Sequence, residues 1–144
     1  MIEKISKKDG RCCLNANLRK TCRTLNNLYA NSMRNSELKG TQYSLLAHIH
    51  GFSEITISEL AERMLMDQTT VTRSIKLLSK AGLVSIVPGT DRRQRIIQLT
   101  EQGHRALNET RPMWLDAQER VWERLGEEKI ANLFEIMNEI NALD

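Results

Sequence analysis

Residues 66–82, MDQTTVTRSIKLLSKAG, decide how the rest of the chain is read. Val71, Ile75 and Leu78 fall at i, i+4 and i+7, which predicts one narrow apolar stripe along a helix. On the other face Thr69, Thr72, Arg73, Lys76 and Lys80 recur at helical spacing, with Gln68 beside them in the first turn. Asp67 suits the N-cap, because its carboxylate accepts from backbone N–H groups that have no partner in the first turn. Met66 is placed to pack against Val71 at the fourth helical position. Gly82 supplies the stop. A helix that ends sharply, packs along one stripe and offers short hydrogen-bonding side chains followed by cations has the form the DNA major groove admits. The competing reading of this stretch alone is a solvated amphipathic helix.

Its neighbours in sequence narrow the choice. Thr56 and Glu59 form a capping box for a helix through Met64, with Ser58 as the competing cap, so a short helix precedes the 66–82 stretch after a tight turn. Two such helices, the second basic and rich in hydroxyls, make a helix-turn-helix. Residues 83–87 then read as an apolar strand, PGTDRRQ as a turn, and 95–99 as a second strand: a hairpin with a basic tip, or wing. Ile55, Thr56 and Ile57 suffice for a minimal edge strand at most. Thr100 and Glu101 open another helix. Upstream, after about ten polar residues expected to fray, Leu14, Leu18, Leu25 and Leu28 fit one long helix. Residues 41–50 fit a short one, with Tyr43, Leu46, Ala47 and His50 on one face, ended by Gly51.

The C-terminal segment is helical and acidic. Leu107, Trp114 and Val121 repeat at seven, with Leu115, Trp122 and Leu125 beside them. Pro112 is expected to kink or divide this helix, since it lacks a donor and crowds the preceding turn. Gly126 marks a break, and Ile130, Leu133, Phe134, Met137 and Ile140 form a last stripe. So much apolar surface asks for a partner. The expectation is that the first helix and the last two interlock with those of a second copy in a two-fold dimer; the alternative is that they fold back on their own domain.

Composition agrees with this outline. A chain of 144 residues, 40% hydrophobic and 27% charged, suits one globular domain. Two prolines, seven glycines and 4% aromatic residues argue against a turn-dense sandwich or barrel. No apolar run approaches a membrane span and MIEKISKKDGR lacks the core of a secretion signal, so a cytoplasmic protein without membrane contact is expected. The net charge of +3 hides an asymmetry: residues 1–100 carry 16 Lys and Arg against 8 Asp and Glu, and residues 101–144 carry 5 against 10. A polyanion suits the first part and would be repelled by the second, unless the bias is simply that of a solvated surface.

The run ISELAERMLMDQTTVTRSIKLLSKAGLV, followed by PGTDRRQRIIQLTEQG, resembles the MarR (multiple antibiotic resistance regulator) family of winged-helix transcription regulators. The resemblance spans essentially the whole chain. It implies a mainly α fold with a small β-hairpin wing: a single domain over 1–144, with 41–100 as the winged helix-turn-helix DNA-binding lobe and 10–34 and 101–144 as dimerisation helices. It implies Arg93 as the reader of the minor groove and Asp91 as its orienter, with Arg92 and Arg95 on phosphates; Asp91 as a plain turn residue is the other reading. Gln68, Thr69, Thr70, Thr72 and Arg73 are then the candidates for base edges and nearby phosphates, since Gln pairs with adenine, Arg with guanine, and a Thr methyl packs on thymine. Lys76 lies where phosphate runs. The implied function is a sequence-specific homodimeric repressor of a pseudo-palindromic site on double-stranded DNA, released by a small aromatic or phenolic effector.

Two alternatives stand beside it. Some family members sense oxidants through a cysteine near the start of the first helix, where Cys13 matches in position, with Cys12 and Cys22 nearby; the sensing branch surrounds its thiol with tyrosines. Cys13 and Cys22 are nine residues apart, roughly 13 Å along one helix and beyond disulfide reach. In a reducing compartment incidental thiols are the other reading, although Arg19, Lys20 and Arg23 could favour a thiolate. The second alternative is a winged helix used for protein interaction. His48 and His50 diverge on a helix and His104 stands alone, which disfavours a zinc site; no metal or cofactor is expected. Without a phosphate-cradling loop, a nucleophile elbow or paired carboxylates, an enzyme is not expected either.

Overall fold

The computed structural model describes residues 8–52 and 54–143. Residues 1–7, most of the segment expected to fray, lie outside the described residues. After a 3-10 turn at Gly10–Cys12 the chain runs through α1 (Leu14–Ser32), α2 (Gly40–Gly51), β1 (Ile55–Thr56), α3 (Ile57–Arg63), α4 (Gln68–Lys80), β2 (Val84–Pro88), β3 (Arg95–Leu99), α5 (Glu101–Leu125) and α6 (Glu127–Asn141).

Local chemistry sets the two helices of the helix-turn-helix. The Thr56 hydroxyl accepts from the Glu59 amide at 3.2 Å while Glu59 Oε2 accepts from the Thr56 amide at 2.8 Å, so the capping box predicted at 56–59 forms. Asp67 caps α4 as predicted, Oδ1 accepting from the Thr70 amide at 2.8 Å. Each helix then closes with the same pair of backbone bonds. At the end of α4 the Gly82 amide meets Ser79 O at 2.9 Å and the Leu83 amide meets Leu78 O at 3.0 Å, with Gly82 at φ +75. At the end of α3 the equivalent bonds are Leu65 to Glu62 O (3.1 Å) and Met66 to Ala61 O (2.9 Å). Leu65 takes the left-handed place at φ +50, where a Cβ meets the steric penalty glycine avoids.

The sheet has three strands in the order β1-β3-β2, all antiparallel. The predicted hairpin therefore gains a neighbour: Ile55 pairs with Ile97 and Thr56 with Ile96, so the minimal strand at 55–56 covers the inner edge of the wing. Val71, Ile75, Leu78 and Ile97 meet Leu46, Ile49 and Leu60 in the core. The buried face of α2 is Tyr43, Leu45, Leu46 and Ile49, whereas the sequence pattern points to Tyr43, Leu46, Ala47 and His50. The sheet and α5 both press on α2, which widens its buried arc past Leu45 and Ile49 and leaves His50 at the rim.

Helix α5 is joined tightly to this lobe. Thr100 caps it, its hydroxyl accepting from the Gly103 amide at 3.0 Å and donating to Gly82 O at 2.6 Å. The Thr100 amide also donates to Leu83 O at 3.1 Å. Gly103 is buried at the crossing, where a Cβ would stand 2.0 Å from Leu83 O. Pro112 neither divides nor ends α5, which runs 25 residues through it. The exposed ring sits on the outer side, so the helix forfeits one backbone bond while its packed face continues through Thr110 and Ala117. Helix α1 is fastened to α5 by the Tyr29 hydroxyl on Gln118 and by Ser32 Oγ on Asp116 at 3.0 Å. Tyr43 of α2 stacks on Trp114 with centroids 5.5 Å apart.

The terminal helices keep much of their apolar surface. No residue of α1 is buried and Ile130 is the one buried residue of α6, while Phe134 stays 53% and Ile136 51% exposed. Among the described residues no helix is long and apolar enough to cross a membrane.

Candidate nucleic-acid interface

The face of α4 opposite its core stripe is open. Gln68, Thr69, Thr72, Arg73 and Lys76 line a shallow concavity of about 490 Å³, and all but Thr72 are exposed. The opening follows from periodicity, because full burial of Val71 and Ile75 turns residues 69, 73 and 76 outward. Within that face several hydroxyls are already engaged. Thr72 Oγ1 donates to Gln68 O at 2.7 Å, which leaves its methyl group and lone pairs outward. The Thr70 hydroxyl donates to the Asp67 carboxylate, and Thr70 does not line the concavity. Gln68 Nε2 donates to Ser58 Oγ at 3.1 Å, so its amide is held against α3 with the carbonyl oxygen free to accept. Ser58, a competing cap in the sequence pattern, instead positions this amide.

Charge favours a polyanion here. The Thr70 hydroxyl and then its amide hold the Asp67 carboxyl below the ordinary value of 3.8, so the carboxylate stays ionised with its oxygens turned to the cap. The Thr56 amide and hydroxyl do the same for Glu59. Among the described residues the ion pair is Arg11 with Asp9, so no described carboxylate pairs with Arg73, Lys76, Arg92, Arg93 or Arg95.

At the wing tip Asp91 is a turn residue. Its Oδ1 accepts from the Arg93 amide at 3.0 Å, its carbonyl accepts from the Gln94 amide at 2.9 Å, and Gly89 closes on Gln94 O at 3.0 Å. The carboxylate thus sets the backbone at Arg93 and forms no ion pair with a wing arginine. Arg92, Arg93 and Arg95 are all exposed, with Arg95 at the base of β3 paired to Pro88.

The thiols lie apart from this face. Cys13 is exposed at the start of α1, Cys22 is exposed further along it and Cys12 is half-buried. Of the two tyrosines, Tyr29 bonds Gln118 and Tyr43 stacks on Trp114. His104 does not stand alone, as its spacing in sequence suggests. Its ring meets that of His50 edge to face at 5.3 Å, at the mouth of a second concavity of about 330 Å³ lined by Ile49, His50, Phe52, Gln98, Leu99 and His104. Among the described residues no three His, Cys, Asp or Glu side chains converge as metal ligands.

Comparison with known proteins follows the same outline. Residues 36–94 match the model of the MarR family. An uncharacterized HTH-type transcriptional regulator of Bacillus cereus is 31% identical over 110 residues, covering 76% of this chain and 74% of that protein. The Mycobacterium tuberculosis transcriptional regulator MOSR, solved in complex with DNA, superposes with a TM-score of 0.75 at 34% identity over 89% of this chain and 98% of its own. BpsR of Bordetella bronchiseptica, at 16% identity, shares the fold with a TM-score of 0.85 over 96% of this chain and all of its own.

Proposed function

The chain belongs to the MarR family of DNA-binding transcription regulators, and from that premise we propose that it is a homodimeric repressor of a pseudo-palindromic operator. The observation that carries the reading is the outward face of α4: side chains able to read base edges, presented beside an arginine-tipped wing and without ion pairs to any described residue. In this reading α4 enters the major groove, where Gln68 and Arg73 read base edges and the methyls of Thr69 and Thr72 pack on thymine. Thr70 serves the cap. Lys76, Arg92 and Arg95 hold phosphates, and Arg93 enters the minor groove from a tip whose backbone Asp91 sets. The uncovered apolar faces of α1, α5 and α6 are the dimer surface, so 10–34 and 101–144 form the dimerisation segments around the 41–100 lobe. The effector is a small aromatic or phenolic acid between the two, acting only insofar as it binds one spacing of the paired lobes better than the other.

Selection of sites from a randomised duplex pool at near-physiological salt tests this. The expected result is an inverted repeat with half-sites about 10 bp apart and a salt slope of about 0.9 per neutralised phosphate. Arg73→Ala relaxes sequence preference, whereas Lys76→Ala weakens all duplexes alike. Equal loss on specific and random DNA for Arg73→Ala would remove the base-reading role. The exposed position of Cys13 gives the oxidant-sensing alternative its support, and a peroxide arm decides it: loss of the selected site makes the thiol the trigger. No enrichment and a flat salt response would favour a protein partner for the basic face.

A further inference from the structure

We infer that Ser58 is a positioning residue for base recognition: it fixes which edge of the Gln68 amide faces the major groove, so that Gln68 selects an A·T pair and rejects G·C. This role presupposes that α4 is the groove helix, and it adds a residue from outside that helix. A glutamine amide left to itself is a reversible reader. With its oxygen and one N–H presented side by side it matches the N6–H donor and N7 acceptor of adenine; turned over, it offers N–H to acceptors such as guanine O6 and N7. Here Gln68 Nε2 donates to Ser58 Oγ at 3.1 Å, from the first turn of α4 to the first turn of α3. That bond commits one N–H to α3 and leaves Oε1 and the second N–H for the concavity that Gln68 lines. One acceptor with one donor is the pattern adenine complements, whereas guanine presents two acceptors.

The polarity of the Ser58 hydroxyl holds the amide this way round. A hydroxyl carries one proton and accepts through its lone pairs, so it takes either role toward an amide until its own proton is placed. Among the described residues the Ser58 proton has no acceptor. Ser58 is exposed, and it lies on the first helix of the helix-turn-helix, the one that crosses the DNA backbone. A phosphate oxygen only accepts. Taking the Ser58 proton, it obliges Oγ to accept from Gln68 Nε2, which turns Gln68 Oε1 to the bases. Phosphate, Ser58, Gln68 and base thus form a relay with one direction, in which a backbone contact sets the sense of a base contact. The fold does not depend on this hydroxyl, because Thr56 and Glu59 cap α3 without it.

The test is binding of the full-length chain to its selected duplex and to every single-base-pair variant of that duplex. Gln68→Ala identifies the pair that Gln68 reads, which is expected to be A·T. Ser58→Ala is expected to lower the preference for A·T over G·C at that same pair, and at no other, by at least about fivefold, the lower end of what a bidentate contact discriminates. Affinity for every duplex falls besides by about two- to tenfold, the share of the phosphate contact. Ser58→Thr keeps the preference, because it keeps the hydroxyl. Added to Gln68→Ala, Ser58→Ala changes the preference no further, since the two side chains act as a unit. If Gln68→Ala relaxes one pair and Ser58→Ala relaxes none, α4 still reads DNA and the role of Ser58 alone is overturned. Additive losses in the double variant, or a G·C pair at the position Gln68 reads, overturn it equally. If Gln68→Ala relaxes no pair, base reading by Gln68 falls and the proposal with it.

Discussion

Gly103→Ala sets two physical effects against each other, and the structure says which wins. Helix propensity alone favours alanine inside a helix by about 1 kcal/mol. Here, however, the new Cβ would stand 2.0 Å from Leu83 O and 3.1 Å from Leu99 Cδ2. The nearest obstacle is backbone, so α5 must retreat by about 1 Å from the start of β2, a displacement whose overpacking costs about 1–3 kcal/mol. Retreat also lengthens two hydrogen bonds at the same corner, Thr100 amide to Leu83 O and Thr100 hydroxyl to Gly82 O, worth about 0.5–1.5 kcal/mol each. The net expectation is a loss of about 1–5 kcal/mol, which for a chain of this size lowers Tm by roughly 3–20 °C. Gly51→Ala is the control: it adds a Cβ with nothing within 4 Å, so Tm stays level or rises slightly. Thermal melts followed by circular dichroism read both. A Gly103→Ala chain melting at or above the native temperature would refute the tight crossing of α5 over Leu83.

Two further outcomes follow from the caps and from Pro112. Asp67 and Glu59 both have folded pKa values below their ordinary 3.8 and 4.5, so the stability they contribute is complete above those values and is lost as pH falls through the lower folded ones. Urea midpoints are therefore flat with respect to these groups near neutrality and fall in acid, less steeply below pH 3.8 for Asp67→Asn, whose amide cannot titrate; identical acid slopes for the two chains would discount the cap. Pro112→Ala restores an amide donor to the exposed side of an unbroken helix and is expected to stabilise by about 1–3 kcal/mol. A lower urea midpoint for that variant would mean that the proline ring packs usefully.

The outward face of α4 was legible because its causes are local. A period of 3.6 places Val71, Ile75 and Leu78 on one side of α4 whatever lies beneath them, and the caps at Thr56, Asp67 and Thr100 reach no further than three residues along the chain. The same holds for the wing, where Asp91 bonds Arg93 and Gln94. Legibility failed where two elements compete for the same group. That the Thr70 hydroxyl bonds to the Asp67 carboxylate is visible only in the structure. Pro112 carries the residue type of a helix breaker, but its ring faces outward from a helix packed on its other side.

From sequence alone came the order of elements, the helix-turn-helix with its wing, the basic face of α4 and the family, all carried by periodicity, by capping chemistry between near neighbours and by motif. Tertiary structure alone decided that Leu45 and Ile49 rather than His50 turn into the core, that Gly103 lies against the Leu83 carbonyl, and that His50 faces His104. These depend on the angle and distance at which α2, the sheet and α5 meet. Packing of the whole core sets that geometry, so no window of neighbouring residues contains it.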